Sequence, residues 1–252
     1  MKKIVSLSLV VILLFSILSM SACSDKKKND MQPLKLGIGV KYYSDKPISA
    51  EGAQNGKGQL TTTVAAVLLD SEGKIVKCAI DTAEAVAEYT SDGKYLLGES
   101  FKTKYELGDS YGMKSIGGAA KEWYEQIDAL TSLAVGKGIE EVRALVADGG
   151  KGSSDVIKAG CTIEVSDFVY ALEEAIKNAN TSDATKDSSL QIKISTAQSG
   201  KDATADTDGY NELKTTITVN ALDKDSKTVA TRSGSSEAKY TFNNKGEVKT
   251  SK

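Results

Sequence analysis

Apolar and polar residues alternate in two stretches near the start of the chain, which predicts strands with one buried face. Leu34 to Val40 alternates, and so does Ile75 to Ile80. Between them, Gln59 to Asp70 is a long run of apolar and β-branched residues. The turn Ser71 to Lys74 contains a glycine, which readily adopts the positive φ of tight turns. Gln59 to Ile80 is therefore predicted to form a β-hairpin.

The hairpin pattern occurs a second time near the C-terminus. Leu60 to Gly93 aligns without a gap on Leu213 to Gly246, and an internal repeat normally marks one supersecondary unit per copy. Thr82 to Ser91 favours a helix by composition, but its counterpart Ser235 to Asn243 alternates, so a strand is predicted in both. The other predicted strands of the second copy are Leu190 to Ser195, Lys214 to Leu222, Thr228 to Arg232 and Ala238 to Phe242.

Between the two copies the apolar period changes to that of a helix. The predicted helices begin near Trp123, cover Ile139 to Ala147, and follow Ser166 as N-cap with an apolar face from Phe168 to Ala179. The polar segments Asp148 to Asp155 and Asn178 to Ser189 are predicted to be flexible links. The predicted fold class is α+β: an antiparallel sheet with helices packed at one side, plus a small all-β C-terminal repeat.

The first residues have the pattern of a bacterial lipoprotein signal. Two lysines precede an apolar run from Ile4 to Leu18, and small residues precede Cys23. In such signals the cysteine takes a lipid and becomes the new N-terminus, so residues 1–22 are predicted to be the signal peptide and Cys23 the lipidation site. An ordinary secretory signal is the alternative. Residues 23–33 would then tether the protein, through the lipid and lysines, to the extracellular face of the bacterial cytoplasmic membrane.

Composition restricts the chemistry that the chain can perform. It has 252 residues, a net charge of −2 and no histidine. The absence of histidine excludes His-based triads and most zinc sites, and it removes the usual general base at neutral pH. The slight negative charge argues against nucleic acid as a partner, because phosphate binding needs a basic face. No set of acid, base and nucleophile can be assembled from the sequence, so neither catalytic residues nor enzymatic activity are predicted.

Metal-ligating and disulfide-forming residues are few. Asp206 to Gly209 resembles the middle of a calcium loop, with two carboxylates and a glycine at the bend. Thr215 stands where such a loop needs its closing acidic residue, so no metal site is predicted. Cys78 and Cys161 either form a disulfide or remain two separate buried thiols, and the sequence leaves both possibilities open.

The segment Ala159 to Ile163, with the sequence AGCTI, precedes the last predicted helix. It resembles the Ser-Gly-Ala-Thr segment of the FMN-binding domain family, which occurs in flavin subunits of bacterial ion-pumping redox complexes and in exported lipoproteins. In that family the Thr hydroxyl is esterified to the phosphate of FMN, so the resemblance implies FMN attachment at Thr162. Segments 106–108, 111–113 and 122–126 are similar to those of related surface lipoproteins.

The resemblance covers residues 34–180, which are predicted to be an FMN-binding-like α+β domain. A linker at 181–189 and a truncated β repeat at 190–252 follow. Three positions differ from the family pattern, which has Asp, Ser and Ala where this chain has Val156, Ala159 and Cys161.

The implied function is that of a membrane-anchored extracellular protein without enzymatic activity. It is either a flavin-based electron carrier with FMN on Thr162 or a degenerate module of the same class. The alternative is a structural or adhesive module whose repeated strands present a surface to a protein or to cell-wall polymer. The second copy motivates this alternative, because it has no counterpart of the Thr162 region.

Overall fold

The computed structural model describes residues 32–98 and 101–251, so the predicted signal peptide and Cys23 lie outside the described residues. Over the described residues the strands are β1 (Lys35–Ser44), β2 (Gly56–Leu69), β3 (Ile75–Tyr89), β4 (Tyr95–Leu96), β5 (Asn180–Thr181), β6 (Ser189–Lys201), β7 (Gly209–Leu222), β8 (Thr228–Phe242) and β9 (Val248–Ser251). The α-helices are α1 (Lys104–Leu107), α2 (Trp123–Ala134), α3 (Ile139–Arg143), α4 (Ser154–Ala159) and α5 (Ser166–Lys177). Within these ranges, none of the helices combines the length and hydropathy needed to cross a bilayer.

Two antiparallel sheets are built from the two repeats, and the fold is α+β as predicted. The first sheet has the order β4-β3-β2-β1-β5, and the second has the order β6-β7-β8-β9. Hairpins β2–β3 and β7–β8 are the repeated units, and each has a β-bulge at the same place, after Leu68 and after Ala221. β1 and β6 flank these hairpins on one side, and β4 and β9 flank them on the other. Each repeat therefore contributes a four-stranded antiparallel meander.

The first sheet lies between the helices and the second sheet. On β2, Val67 and Leu69 belong to the apolar cluster shared with the helices, whereas Val64 and Ala66 belong to the cluster shared with the second sheet. Every residue of β2 from Leu60 to Leu69 is buried as a result. This burial explains the long apolar run in the sequence, because a strand covered on both faces has few positions for solvated side chains.

The two sheets pack face to face with an approximate twofold relation. β1 lies over β8, β2 over β7 and β3 over β6. The Tyr89 ring stacks on Phe242, which is its equivalent in the second repeat, with ring centroids 4.2 Å apart. Each repeat thus presents the same patch to the other, which is the property of an isologous interface.

The turn after the second hairpin strand of each repeat docks on the opposite repeat. The Ala203 amide donates to the Gly93 carbonyl over 2.7 Å, and the Ala50 amide donates to the equivalent Gly246 carbonyl over 2.8 Å. Gly93 and Gly246 have positive φ angles of 76° and 67°. A Cβ at Gly93 would also lie 2.7 Å from Asn244 Cα, so both backbone conformation and space require glycine there.

Helices α2 and α5 form the apolar layer over the other face of the first sheet. A Cβ at Gly37 of β1 would lie 1.9 Å from the Ala175 carbonyl oxygen, so this glycine lets α5 rest directly on the strand. Trp123 of α2 is 2% exposed and meets the Phe168 ring edge-on, with centroids 5.9 Å apart. Trp123 is therefore a core residue.

Two predicted links contain regular structure. Residues 148–155 form a 3₁₀ turn at Asp148–Gly150 and the start of α4. The prediction of a flexible link was wrong because its glycines and polar residues shape tight turns around the buried Val156. The link predicted at Asn178 to Ser189 contains β5 and the buried Ala184.

The prediction that Ser166 caps α5 is also wrong. Val165 occupies the N-cap position without a side-chain cap bond, and the Ser166 hydroxyl donates instead to the Glu164 carboxylate over 2.9 Å. Helix α1 is a further difference, because no helix is predicted before Trp123. It is one short turn that begins at a capping box made by Thr103 and Glu106, and it has no buried residue to show an apolar period.

Strand β8 is longer than predicted. It runs unbroken from Thr228 to Phe242, although the sequence predicts two separate strands. Ser233, Ser235 and Glu237 interrupt the apolar pattern, but these side chains lie on the exposed face of the sheet. Polar residues on a solvated face leave the hydrogen-bonded ladder intact.

Cys78 and Cys161 are both free thiols, so of the two possibilities left open by the sequence the structure shows separate thiols rather than a disulfide. The Cys78 thiol donates to the Thr131 carbonyl over 3.4 Å, and Cys161 is buried in the apolar cluster under the helices. Burial raises the pKa of Cys78 to about 12 and the pKa of Cys161 to about 11. Both thiols therefore stay protonated at neutral pH, which makes them poor nucleophiles.

Apolar contacts cross the predicted boundary between residues 34–180 and 190–252. Leu36, Val64 and Leu68 share one buried cluster with Ile217 and Val219 of the second sheet. The division into two domains stays a prediction. Removal of the second repeat would expose the apolar face of the first sheet.

Candidate functional site

Thr162 lies in the loop that joins α4 to α5, and its side chain is exposed. Its amide and its Oγ1 donate to Gln126 Oε1 over 2.8 and 3.2 Å. The amide of Ile163 donates to the same oxygen over 3.3 Å. A single carboxamide oxygen therefore holds the loop in place through two backbone amides and the Thr162 hydroxyl.

Gln126 connects this loop to the interior. It is 1% exposed, and its Nε2 donates to the Lys121 carbonyl over 3.1 Å. The Lys121 ammonium in turn donates to the Ala159 carbonyl over 3.2 Å. A buried amide bonded on both sides is conformationally fixed. The Thr162 loop is thus bonded on both sides of Gly160, to Lys121 just before α2 and to Gln126 within α2.

Two of the three residues that differ from the FMN-binding family pattern are core residues. Val156 and Cys161 are both 0% exposed and belong to the cluster beneath the helices. Asp155, one position before Val156, is exposed. The carboxylate nearest to the family position along the chain therefore lies in solvent rather than under the Thr162 loop.

A pocket of about 360 Å³, here called the polar pocket, includes Glu164 in its lining, two residues after Thr162 in the sequence. It is lined by Tyr43, Thr61, Thr63, Thr82, Glu84, Lys104, Glu164, Ser166, Asp167 and Phe168. Lys104 Nζ pairs with Glu84 Oε1 over 2.7 Å and lies 4.8 Å from the centre of the Tyr111 ring. Burial by itself lowers the pKa of Lys104, but hydrogen bonds to Glu84 and Tyr111 outweigh it, so the pKa is raised. The pocket therefore contains the Lys104 ammonium together with hydroxyl groups and the carboxylates of Glu84, Glu164 and Asp167.

A larger cavity of about 450 Å³, here called the inter-repeat cleft, lies where the helices meet both repeats. Asp81 is 8% exposed, and its Oδ1 accepts from the amides of Thr82 and Tyr105 over 2.7 and 3.2 Å. The Tyr105 hydroxyl donates to the exposed Asp128 over 2.9 Å. Burial raises the pKa of Asp81 to about 6. Two carboxylates thus enter one cleft and are linked through Tyr105.

The sequence did not single out either cavity. Their residues come from strands and helices far apart in the chain, so no local spacing connects them. Asp81 alone carried a signal, since it is an acidic residue between the predicted strand segments Ile75 to Ile80 and Thr82 to Ser91. Its counterpart in the second repeat is Gly234.

The calcium-like segment Asp206 to Gly209 lies in the turn between β6 and β7. Thr204 Oγ1 accepts from the amides of Asp206 and Thr207 over 3.3 and 3.1 Å, and these bonds shape the turn. In the described part of the chain, no group of three or more His, Cys, Asp or Glu side chains converges as a metal site would require.

Comparison with known proteins adds one similarity. No family model matches the chain, and no solved structure matches it. A curated protein from Desulfitobacterium hafniense, named chlorophenol reductase, is 32% identical over 103 residues. The match covers 36% of this chain and 32% of that protein, so the chain spans about a third of the length of this relative. The chain is therefore similar to one part of a protein named as a reductase.

Proposed function

We propose that this chain is an extracellular, lipid-anchored flavin carrier in which FMN is attached through its phosphate to the Thr162 hydroxyl. The observation that carries the proposal is that an exposed threonine lies in a loop held by three hydrogen bonds to a buried side chain. A modifying enzyme needs access to the acceptor oxygen, and the exposed Thr162 side chain offers it. A redox carrier also needs its cofactor in a fixed place, which the three hydrogen bonds to Gln126 favour.

The polar pocket, which includes Glu164 two residues after Thr162, offers groups that suit a flavin. FMN has hydroxyls along its ribityl chain and both N–H and carbonyl groups on one edge of its ring, so it needs donors and acceptors together. The polar pocket supplies the hydroxyls of Thr61, Thr63 and Thr82 with the Lys104–Glu84 pair. Tyr43 and Phe168 add aromatic surface. When bound, FMN supplies the one- and two-electron redox chemistry, and the chain positions it.

Two further points support a carrier at the cell surface. The relative similar to part of this chain is named as a reductase, which is a redox function. Lipidation of Cys23 and the lysine-rich residues 24–30 would hold the domain beside the membrane.

The test is the intact mass and visible absorbance of residues 24–252, coexpressed with an FMN transferase. We expect a mass increase of one FMN moiety and a flavin spectrum. Thr162→Ala should abolish both, because it removes the acceptor oxygen, whereas Thr162→Ser keeps a hydroxyl at the same position. Thr228→Ala is the matched control, since Thr228 is exposed at the start of β8. An unmodified, colourless wild-type protein would contradict the proposal.

The second candidate function is a structural or adhesive module, and the outer face of the second sheet favours it. No described helix belongs to the apolar clusters of this sheet. Its outer face carries a ladder of hydroxyl and charged side chains, including Lys193, Lys214, Thr216, Ser233 and Ser235. Such a face can offer hydrogen bonds to a polymer without any change in the fold.

Deletion of residues 190–252 would not test this candidate cleanly, because it would also expose the first sheet. Charge reversal at Lys193 and Lys214 leaves the shared core untouched. If this face binds cell-wall polymer, the double variant should lose retention on isolated cell walls while its unfolding midpoint stays unchanged. Equal retention of the variant and the wild-type protein would exclude this face.

A further inference from the structure

The inter-repeat cleft has a counterpart across the approximate twofold relation, and the counterpart is filled. Strand registers make Leu36 and Ile38 the equivalents of Leu190 and Ile192. Ala79 and Asp81, which line the cleft, are equivalent to Arg232 and Gly234. The same backbone arrangement therefore carries different side chains on its two sides.

On the filled side, the arginine side chain crosses to the opposite sheet. Arg232 Nε donates to the Leu36 carbonyl over 3.3 Å. The strands there are also close, since a Cβ at Gly234 would lie 3.3 Å from Val40 Cγ2 and 3.6 Å from Ile38 Cδ1. A guanidinium group on an apolar stem thus occupies this part of the interface between the repeats.

On the open side, Ala79 is too short to reach across, and the cavity of about 450 Å³ remains. Its apolar wall comes from both repeats and includes Ile80, Ile127, Leu190, Ile192 and Leu222. A volume of this size is in the range of small-molecule sites, which combine apolar walls with a few placed polar groups.

The charged groups that line the cleft are both carboxylates, Asp81 and Asp128, and they lie beside the neutral polar groups of Tyr105, Thr131 and Gln191. Asp81 is held at the bottom by two backbone amides, and Asp128 stands at the rim on the Tyr105 hydroxyl. Among the described residues that line the cleft, none is basic. Lys77 lines only the adjoining shallower pocket, where its ammonium donates to the Ser188 carbonyl over 2.7 Å. The charge of the cleft is thus left for a ligand to neutralise.

We propose that the inter-repeat cleft binds a small organic cation with an apolar body, either a guanidinium or a primary ammonium compound. The cationic group lies between Asp81 and Asp128, and the apolar body lies against the isoleucine and leucine wall. This ligand has the shape and charge of the Arg232 side chain that fills the equivalent place. The site is separate from Thr162 and does not depend on flavin.

Binding is tested by titrating the ¹⁵N-labelled protein with four probes of matched size at constant ionic strength. The probes are n-butylguanidinium, n-butylammonium, n-butanol and butyrate. We expect saturable shifts at the amides of Ala79, Asp81 and Ile192 for the two cations, and none for butanol or butyrate. Absence of saturable shifts at these amides, or equal shifts with butyrate or butanol, would overturn the proposal.

Two variants locate the site. Asp81→Asn keeps an oxygen for the Thr82 and Tyr105 amides but loses the charge, so it should weaken binding of n-butylguanidinium by about tenfold or more. Ala79→Arg reproduces the filled side and should abolish binding by occupying the cleft. Asp155→Asn, which removes an exposed carboxylate from α4, is the matched control and should bind as the wild-type protein does. Unchanged affinity in Asp81→Asn would show that the cation binds elsewhere.

Discussion

Strands β2 and β7 are equivalent in the two repeats, yet their surroundings differ. From Leu60 to Leu69 every residue of β2 is buried, whereas buried and less buried residues alternate along β7. The first repeat has helices on one face and the second sheet on the other, while the second repeat has water in place of helices. The same hairpin geometry therefore tolerates two different sequence patterns. The apolar period of a strand reports how many of its faces are covered, not which fold it belongs to.

The largest expected effect comes from adding a charge at equivalent positions of the two central strands. Ala65 faces the helices and is 0% exposed, and its equivalent Thr218 lies on the outer face of the second sheet. Ala65→Asp should lower the free energy of unfolding by about 4 kcal/mol or more, because the carboxylate is buried without a partner. Thr218→Asp should change it by less than about 0.5 kcal/mol. Urea unfolding measures both changes. Equal losses of unfolding free energy would contradict the conclusion that helices cover only the first sheet.

The open side of the interface between the repeats should make the stability depend on pH, because it carries Asp81. The filled side has Gly234 at the equivalent position, which does not titrate. Burial raises the pKa of Asp81 from 3.8 to about 6 in the folded state. The protonated carboxyl therefore favours the folded state below about pH 4, and this contribution is lost as the pH rises through about 6. The titratable groups that face Asp81 are Tyr105 and Glu106 of α1, with Asp128 of α2 and Cys78 on the same cleft.

This increase in the pKa of Asp81 lowers the free energy of unfolding by about 3 kcal/mol as the pH rises from 4 to 7. Asp81→Asn should remove that part of the pH dependence, since the amide does not titrate. Asp155→Asn should leave the profile as in the wild-type protein. Thermal unfolding midpoints at a series of pH values measure the effect. A wild-type slope retained in Asp81→Asn would show that another group titrates in this range.

Alanine substitutions in the docking turns test the twofold relation itself. Gly93→Ala combines a positive φ with a clash against the second repeat, so it should cost about 2–3 kcal/mol. Gly246→Ala should cost a similar amount, because a Cβ there would lie 2.6 Å from Ala50 Cβ. Gly73→Ala is the control: its φ of 77° is almost the same, but nothing lies within 4 Å. Chemical denaturation that gave equal losses at Gly93 and Gly73 would argue against tight docking.

The smallest expected effect concerns the hairpin turns. Ser226, the equivalent of Gly73, has a positive φ of 62°, which is strained for a residue with a side chain. Ser226→Gly should therefore stabilise the protein by about 0.5–1 kcal/mol. The reciprocal Gly73→Ser should destabilise it by a similar amount. Differential scanning calorimetry can resolve both shifts, and a Ser226→Gly variant no more stable than wild type would contradict the strain.

The repeated hairpins, the helices after Trp123 and the fold class could be predicted from sequence because each rests on a local period. The three-layer packing could not be predicted in the same way. The continuous run in β2 is compatible with any strand buried on both faces, and it does not identify the second sheet as one of the covers. Short helices such as α1 and α4 were missed because a single turn is too short to establish a period.

The residues of the candidate site also differ in whether local sequence could identify them. Thr162 could be named as a candidate from sequence because a segment of consecutive residues carries the resemblance. The polar pocket joins Tyr43, Lys104 and Asp167 from distant parts of the chain, and the inter-repeat cleft needs both repeats. Long-range packing brings these side chains together, and a single sequence does not contain that information. Gln126, which holds the Thr162 loop, was likewise visible only in three dimensions.

The isologous packing of the two repeats has a consequence for how the protein responds to dilution. A symmetric homodimer with this interface would dissociate on dilution, because the stability of such a dimer depends on the protomer concentration. Here the partner is encoded in the same chain, joined through residues 178–188, so its effective concentration is fixed by the length of the connection. Assembly thus follows first-order kinetics, and the inter-repeat cleft exists in every folded molecule at any abundance.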